Sequence, residues 1–431
     1  MKWYWPGAAF SAALVGVMVS ASPVAAADLG GNCCADLEER IADLESSVAQ
    51  KGNRRLSLKI SGWVSEQVMY WDDGVESNVY VQSLGTAFAS NFNFTGKAQI
   101  TKDLSAGYVL HVEAITSDTY TTSQDRPNGP GVFSGAPNSL QVLYSYWFLQ
   151  SEQYGRVSVG QLSPADDSAV VALDSSGTLP AAYWVAYDVF GFKVRGNFAA
   201  NDSLIWGNAG SCRGYGGGPG DCNGVPLNIV RYDTPTLHGF SASASWGDDD
   251  NAAVAGRYIN THGDFTLKGV VTYSETTNSA KGAPPQGNLK YVQASIYTQH
   301  NPSGWFAQGV WARLDQSPNP QDNPVTNTWY FKSGVRLGLT SIGKTIPYGE
   351  VLKSYDGALL INDGGTPLNP ADDTARVLKG SETTFWGFGV VQEIDAAAMS
   401  VWLRYRDHDV DLPGIETKGL STVVFGAFIN F

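Results

Sequence analysis

Asn91-Phe92-Asn93-Phe94-Thr95-Gly96-Lys97-Ala98-Gln99-Ile100 decides how this chain folds. Phe92, Phe94, Gly96, Ala98 and Ile100 share one parity; Asn91, Asn93, Thr95, Lys97 and Gln99 share the other. Successive side chains of a strand point to opposite faces, so this segment has one face suited to oil and one to water. The parity recurs on both sides of it. Tyr108, Leu110, Val112 and Ala114 alternate with His111 and Glu113; Phe265, Leu267, Gly269, Val271 and Tyr273 with Thr266 and Lys268; Phe331, Val335, Leu337 and Leu339 with Lys332 and Arg336. Each run is about ten residues, the length of a tilted strand that crosses a bilayer.

The period-two pattern holds from residue 56 to residue 431. Tight connections at 101–105, 151–154, 301–304 and 341–344 alternate with long Gly-, Pro-, Asn- and Asp-rich ones at 117–138, 200–225, 276–287 and 355–382. Short turns on one side and long loops on the other predict an all-β fold, a transmembrane antiparallel β-barrel. Tracking the parity gives 16–18 strands, with eighteen the direct count and two of those marginal. Charged residues are only 16% of the chain, below the soluble norm of about 25%. A barrel explains this composition without membrane helices, because lipid-facing and water-facing residues cancel in a hydropathy average. A propeller is the soluble alternative, but no blade-length repeat is present. The chain also stops on Phe431, at the end of a strand in which Val423, Phe425, Ala427, Ile429 and Phe431 share a face. Soluble chains usually end in frayed polar tails.

Residues 1–27 read as a secretory signal peptide: Lys2, an apolar run over 8–19, then Ala25, Ala26 and Ala27 before Asp28. Its removal leaves 27 basic against 41 acidic residues, net −14 from −13. That charge argues against nucleic acid as a partner. Residues 28–55 carry a short helix and a basic linker, with Leu37, Ile41, Leu44 and Val48 at heptad spacing. The helix serves equally as a trimeric coil or as a piece packed at the barrel mouth. In an exported chain, Cys212 and Cys222 ten residues apart read as a disulfide closing a flexible loop; a metal pair is the rival, with no histidine near. Cys33 and Cys34 are adjacent, and pairing with each other, bridging chains and staying reduced are all open.

The terminal Phe431 is similar to the signal read by the barrel-assembly machinery in outer-membrane proteins. Cys33-Cys34-Ala35-Asp36-Leu37-Glu38-Glu39-Arg40-Ile41, then Ser61-Gly62-Trp63-Val64-Ser65-Glu66-Gln67 and Trp71-Asp72-Asp73-Gly74, resemble the alphaproteobacterial porins typical of rhizobia and their relatives. Tyr187-Asp188-Val189-Phe190-Gly191-Phe192 and Tyr232-Asp233-Thr234-Pro235 resemble the periplasmic hairpins of general porins. The resemblance spans the mature chain. It implies a homotrimer of water-filled barrels in the outer membrane of a Gram-negative bacterium, passing small hydrophilic solutes and ions among lipid and lipopolysaccharide, with no cofactor.

General porins narrow the channel with a long loop folded inward after the fifth strand. Here that strand is 155–162, and residues 163–180 carry Asp166, Asp167 and Asp174. Arg156, Lys193 and Arg195 are expected on the water face of neighbouring strands, with Phe192, Val194 and Phe198 toward lipid. Parity places His111, Glu113, Lys97, Lys268, Lys332, Arg336, Arg404 and Arg406 in the lumen. An acidic loop opposite a basic wall sets a transverse field that favours polar solutes. The acidic clusters Asp72-Asp73, Asp248-Asp249-Asp250, Asp372-Asp373 and Asp407/Asp409/Asp411 are read as a hydrated rim, with divalent cations bridging to lipopolysaccharide as an alternative.

Three other functions compete. A channel selective for a sugar or an oligopeptide would need lumen aromatics, for which Trp311 and Trp402 are candidates. An outer-membrane enzyme finds little support, since His111, His238, His262, His300 and His408 include no metal-spaced pair and no nucleophile motif is present. An envelope tether would use the heptad segment.

Overall fold

A computed structural model describes residues 57–85, 88–117, 119, 122–127, 139–183, 187–210, 226–247, 250–277, 288–317, 324–365 and 374–431. The chain separates into Met1–Ser47 and Val48–Phe431. The signal segment, the 28–55 helix and linker, and all four cysteines lie outside the described residues.

Among the described residues sixteen antiparallel staves form the wall: β1 (Lys59–Asp72), β2 (Ser90–Gln99), β3 (Leu104–Ile115), β4 (Ser139–Ser151), β5 (Gly155–Leu162), β6 (Leu227–Asp233), β7 (Phe240–Gly247) and β8 (Asn251–His262). They continue as β9 (Phe265–Thr276), β10 (Asn288–His300), β11 (Trp305–Ser317), β12 (Thr326–Val335, extended by Leu337–Thr340), β13 (Gly343–Tyr355), β14 (Glu382–Ile394), β15 (Met399–Asp411) and β16 (Leu420–Asn430). Each pairs with its neighbour, and β16 returns to β1 in register from Trp63↔Asn430 to Asp72↔Ser421. Among the described residues each of these sixteen staves has a paired neighbour on both sides, so the ring is closed and the backbone groups that a bilayer does not tolerate unpaired are satisfied between staves. The last residue completes the seam. Phe431 N donates to Gly62 O at 3.0 Å and Gly62 N to Phe431 O at 3.1 Å, while the Phe431 ring lies 5.8 Å from that of Phe92.

Parity sets the two faces of the wall. Phe92, Phe331 and Phe425 are 47%, 51% and 54% exposed on the outside, whereas Asn91, Lys332 and Thr422 on the opposite parity are buried inside. The short turns (100–103, 152–154, 234–239, 263–264, 301–304, 341–342 and 395–398) all lie at the end where Phe431 finishes. They require tight backbone. Gly304 has φ +73°, and a Cβ there would sit 2.3 Å from Arg336 O.

The direct count of eighteen is corrected to sixteen. Residues 187–205 supply no wall strand; 187–192 lie in the lumen and the rest run to the rim. Tyr187-Asp188-Val189 is a 3-10 turn inside the barrel and not a hairpin. The similar Tyr232-Asp233 stretch does end β6 at a tight turn. The two differ because Asp188 is captured by arginines of the opposite wall and Phe190 and Phe192 are buried. The second stave is interrupted. Ser77–Gln82 pairs with the outer half of β1 and β2 with the inner half, while residues 83–85 and 88–89 leave the ladder. Phe88 in that excursion stacks on Tyr183 at 5.4 Å.

Candidate functional site

The connection between β5 and β6 enters the barrel in its described residues 163–183 and 187–192. The wall pulls it in by its backbone. Arg231 donates to Ser163 O (3.1 Å) and Pro164 O (3.2 Å), and Arg257 to Ala165 O (2.8 Å). Ala253 and Ala255 on β8 are small enough for Ala165 to pack directly on the wall. Gln293 then donates to Asp166 O (2.6 Å), Gln308 to Val170 O (3.1 Å) and Arg336 to Ser176 O (2.6 Å). Arg404 and Tyr348 both donate to Ala181 O, and Lys332 to Ala182 O (2.8 Å). Buried carbonyls need such donors. The insert has little helix of its own beyond the 3-10 turns Val171–Leu173, Tyr187–Val189 and Trp206–Asn208.

Two buried ion clusters fix it. Lys332 meets Asp174 at 2.5 Å, both about 1% exposed. Arg404 and Arg406 bind Asp188, and Arg406 also binds Glu350 at 2.7 Å, all at 1% exposure or less. Tyr330 OH donates to the second oxygen of Glu350 at 2.7 Å. Burial pushes the Asp188 carboxyl up, but the guanidiniums of Arg404 and Arg406 hold it below the usual carboxylate range. Around these pairs lies an apolar cluster that includes Trp71, Tyr80, Tyr183, Phe192, Trp206, Leu352 and Phe385.

Beyond residue 192 the insert rises to the outer rim and joins other loops. Arg195–Gly196 pairs with Thr417–Lys418, and Asp202–Ser203 adds to the hairpin of Leu359–Asn362 and Thr374–Val377. Arg195 binds Asp73 (2.6 Å) and Glu76, and Lys193 binds Asp125 (2.7 Å). Burial raises the Asp73 carboxyl, yet hydrogen bonds from the Glu76 and Val75 backbone, Arg195 and Gln124 bring it below the ordinary value.

The expected site residues separate into groups. Arg156 stands in the lumen on β5, Asp166 and Asp167 are buried in the insert, and the Asp174 side chain there is about 1% exposed. Lys193 and Arg195 do not stand on wall strands; they tie the insert to the rim, and Phe192 and Val194 face a packed interior and not lipid. Asp174 and Lys332 touch, so these two charges do not oppose each other across a gap. Lys332, Arg336, Arg404 and Arg406 hold the insert. Lys268 reaches Ser175 of the insert, His111 packs edge-on to Tyr144 at 5.4 Å, Glu113 accepts from Gln141 at 3.0 Å, and Lys97 is exposed. Trp402 is buried inside against Phe428, whereas Trp311 is on the outward parity beside Trp329. Sequence reading missed Asp188, Glu350, Arg231 and Arg257. Parity along β6, β8 and β13 marks Arg231, Arg257 and Glu350; nothing local marks Asp188.

The insert covers the lumen face of β10–β15. Along β2–β5 the lumen side is polar, and Asn93, Thr95, Lys97, Gln99, Tyr144, Tyr146 and Arg156 remain partly or fully exposed. A closed barrel with an apolar belt, short turns at one end and a loop folded inside defines an outer-membrane channel. A sequence profile of Gram-negative porins matches residues 11–407, and the chain belongs to that family. It is an outer-membrane protein of the Gram-negative envelope that passes small solutes by passive diffusion. Among solved structures, OmpF of Salmonella typhi in complex with daunomycin is 13% identical, with TM-score 0.52 over 87% of this chain and 98% of that one. A loop-deletion mutant of OmpT, an outer-membrane protein of Vibrio cholerae, is 12% identical, with TM-score 0.51 over 87% and 99%. The trimer form of OmpT is 11% identical, with TM-score 0.50 over 87% and 99%. At these identities the likeness is one of fold. No curated protein sequence matches the chain.

Proposed function

We propose that the chain is a general diffusion porin, open to small hydrophilic solutes and ions without preference for one sugar or oligopeptide, and that its narrowest point lies beside the insert. The carrying observation is the division of the lumen: one side closed by the bound insert, the other lined by the exposed polar groups of β2–β5. In this reading Asp166, Asp167 and Asp174 belong to the insert that sets the width, and Arg156 faces the remaining passage. The two tryptophans considered for a sugar track do not supply one, since Trp402 is buried and Trp311 points outward. Liposome swelling with a series of neutral sugars tests the reading. Rates are expected to fall smoothly with solute size, and saturation by a single sugar would replace it with a selective channel.

The same reading includes a homotrimer. Glu66 sits mid-strand on β1 between the outward-facing Val64 and Val68, and takes a hydrogen bond from Thr116 Oγ1 at 2.8 Å. An ionisable group at mid-bilayer is costly against lipid and is relieved by facing protein. Replacing Glu66 with Leu is therefore expected to convert trimers to folded monomers in detergent, measured by light scattering. An unchanged trimer would place this face against lipid. The block from Cys33 to Ile41 and the Ser61–Gln67 stretch support a rhizobial-type subgroup of the family.

A further inference from the structure

We propose that Arg156, with Tyr146 and Phe148, forms a binding station for small organic carboxylates on the lumen wall, flanked by Arg231 and Arg257. The inference rests on the reading of the lumen as an open passage. Most other wall cations are already committed: Lys332 to Asp174, Arg336 to Glu393, and Arg404 and Arg406 to Asp188 and Glu350. Arg156 has no carboxylate in ion-pair range among the described residues. Its guanidinium lies 3.7 Å from the centre of the Phe148 ring and 5.5 Å from that of Tyr146. Nε donates to Ser158 Oγ (3.1 Å) and Nη2 to Tyr146 OH (3.3 Å). Nη1 makes no hydrogen bond to a described residue. The group is thus held flat and in place by an aromatic face and two neutral acceptors, and keeps donors for a ligand. Such a pre-ordered, partly exposed guanidinium suits the planar, two-oxygen geometry of a carboxylate.

The neighbours continue the arrangement. Register places Arg156 opposite Asp233 and Ser158 opposite Arg231, and Ser241 opposite Arg257. Arg231 pairs with Asp233 at 2.8 Å, while among the described residues Arg257 donates to the neutral acceptors Ser243 Oγ (2.6 Å) and Ala165 O (2.8 Å). Asp166 and Asp167 are at most 5% exposed, and Asp103, at the turn below, is held by Ser151 Oγ and the backbone N–H groups of Glu152 and Gln153, so at the level of Arg156 a solute meets the arginines and Asp233. Much of the acidic excess of the chain lies elsewhere. Asp72, Asp409 and Asp411 are exposed on the outward parity near the long-loop end. Net charge therefore misdescribes what a solute encounters.

The test is single-channel recording of the full-length protein in planar bilayers in potassium chloride, with potassium benzoate as the probe and benzyl alcohol as its uncharged counterpart. Benzoate is expected to reduce the current saturably and benzyl alcohol to leave it unchanged. Arg156→Gln should abolish the block while conductance in chloride persists, and Arg156→Lys should weaken it severalfold, since a lysine keeps the charge but not the stacked fork. Equal block by both probes, absence of block in the parent protein, or full block in Arg156→Gln overturns the station and leaves the diffusion channel standing. Absence of any conductance in the parent protein overturns both.

Discussion

Replacing Asp188 with Ala is expected to raise single-channel conductance and lower thermal stability together. Among the described residues Asp188 is the carboxylate of the insert that reaches Arg404, and it shares Arg406 with Glu350. Its loss leaves Arg404 buried with the Ala181 carbonyl as its one hydrogen-bond partner among the described residues. Removing one member of a buried pair costs about 3–5 kcal/mol, because the other charge stays desolvated and uncompensated. The wall cannot yield, so the insert is the part that moves, and the apolar cluster of Phe192, Trp206 and Tyr183 loosens with it. Conductance, its noise and the melting temperature read the effect. Adding Arg404→Met should restore part of the stability without restoring the narrow passage, and the double-mutant cycle measures the coupling. Unchanged conductance in Asp188→Ala would show that the insert is held by its backbone contacts alone. Acid should act in the same direction. Because the folded-state pKa of Asp188 is depressed, its contribution is complete above the ordinary carboxylate value of about 4 and is lost as pH falls through the lower folded-state value.

Gly62→Val is expected to abolish the closed barrel. A Cβ at Gly62 would lie 2.1 Å from Asn91 O and 2.9 Å from the Phe431 ring. Asn91 O is backbone of the next stave and has no rotamer with which to escape, so the strands must part where first, second and last staves meet. The strain is about 3 kcal/mol, at the upper end of overpacking costs, and it falls on the bonds between Gly62 and Phe431. The folded form that resists unheated detergent electrophoresis should disappear. Gly256→Val is the control, since a Cβ there meets nothing within 4 Å. If Gly62→Val migrates as the folded form, the seam is more compliant than its geometry indicates.

The wall was legible because it obeys one local rule. Every lipid-facing position skips one residue, and the stretches around Phe92, Val271, Phe331 and Phe425 display that rule without knowledge of their neighbours. The lumen was legible only as a parity. Lys332, Arg336, Arg404 and Arg406 read correctly as inward-facing, but their partners are set by a loop whose path no period encodes. The segment 187–198 shows the limit. Phe192, Val194 and Phe198 alternate with Lys193 and Arg195 as a wall strand would. A strand between oil and water and a strand between a packed interior and a rim of carboxylates carry the same alternation. Asp188 was misread for a related reason, since Tyr-Asp before a Gly-Phe is turn chemistry whether or not an arginine waits across the barrel.

The grip on the insert is exerted mainly through carbonyl oxygens, those of residues 163, 164, 165, 166, 170, 176, 181 and 182. A carbonyl is common to all twenty amino acids. Anchorage is thereby uncoupled from the identity of what is anchored, apart from Asp174 and Asp188. Away from the buried apolar side chains and the ion pairs of the insert, the side chains that face the passage can therefore be rewritten, by evolution or by an engineer, while the scaffold that displays them stays as it is.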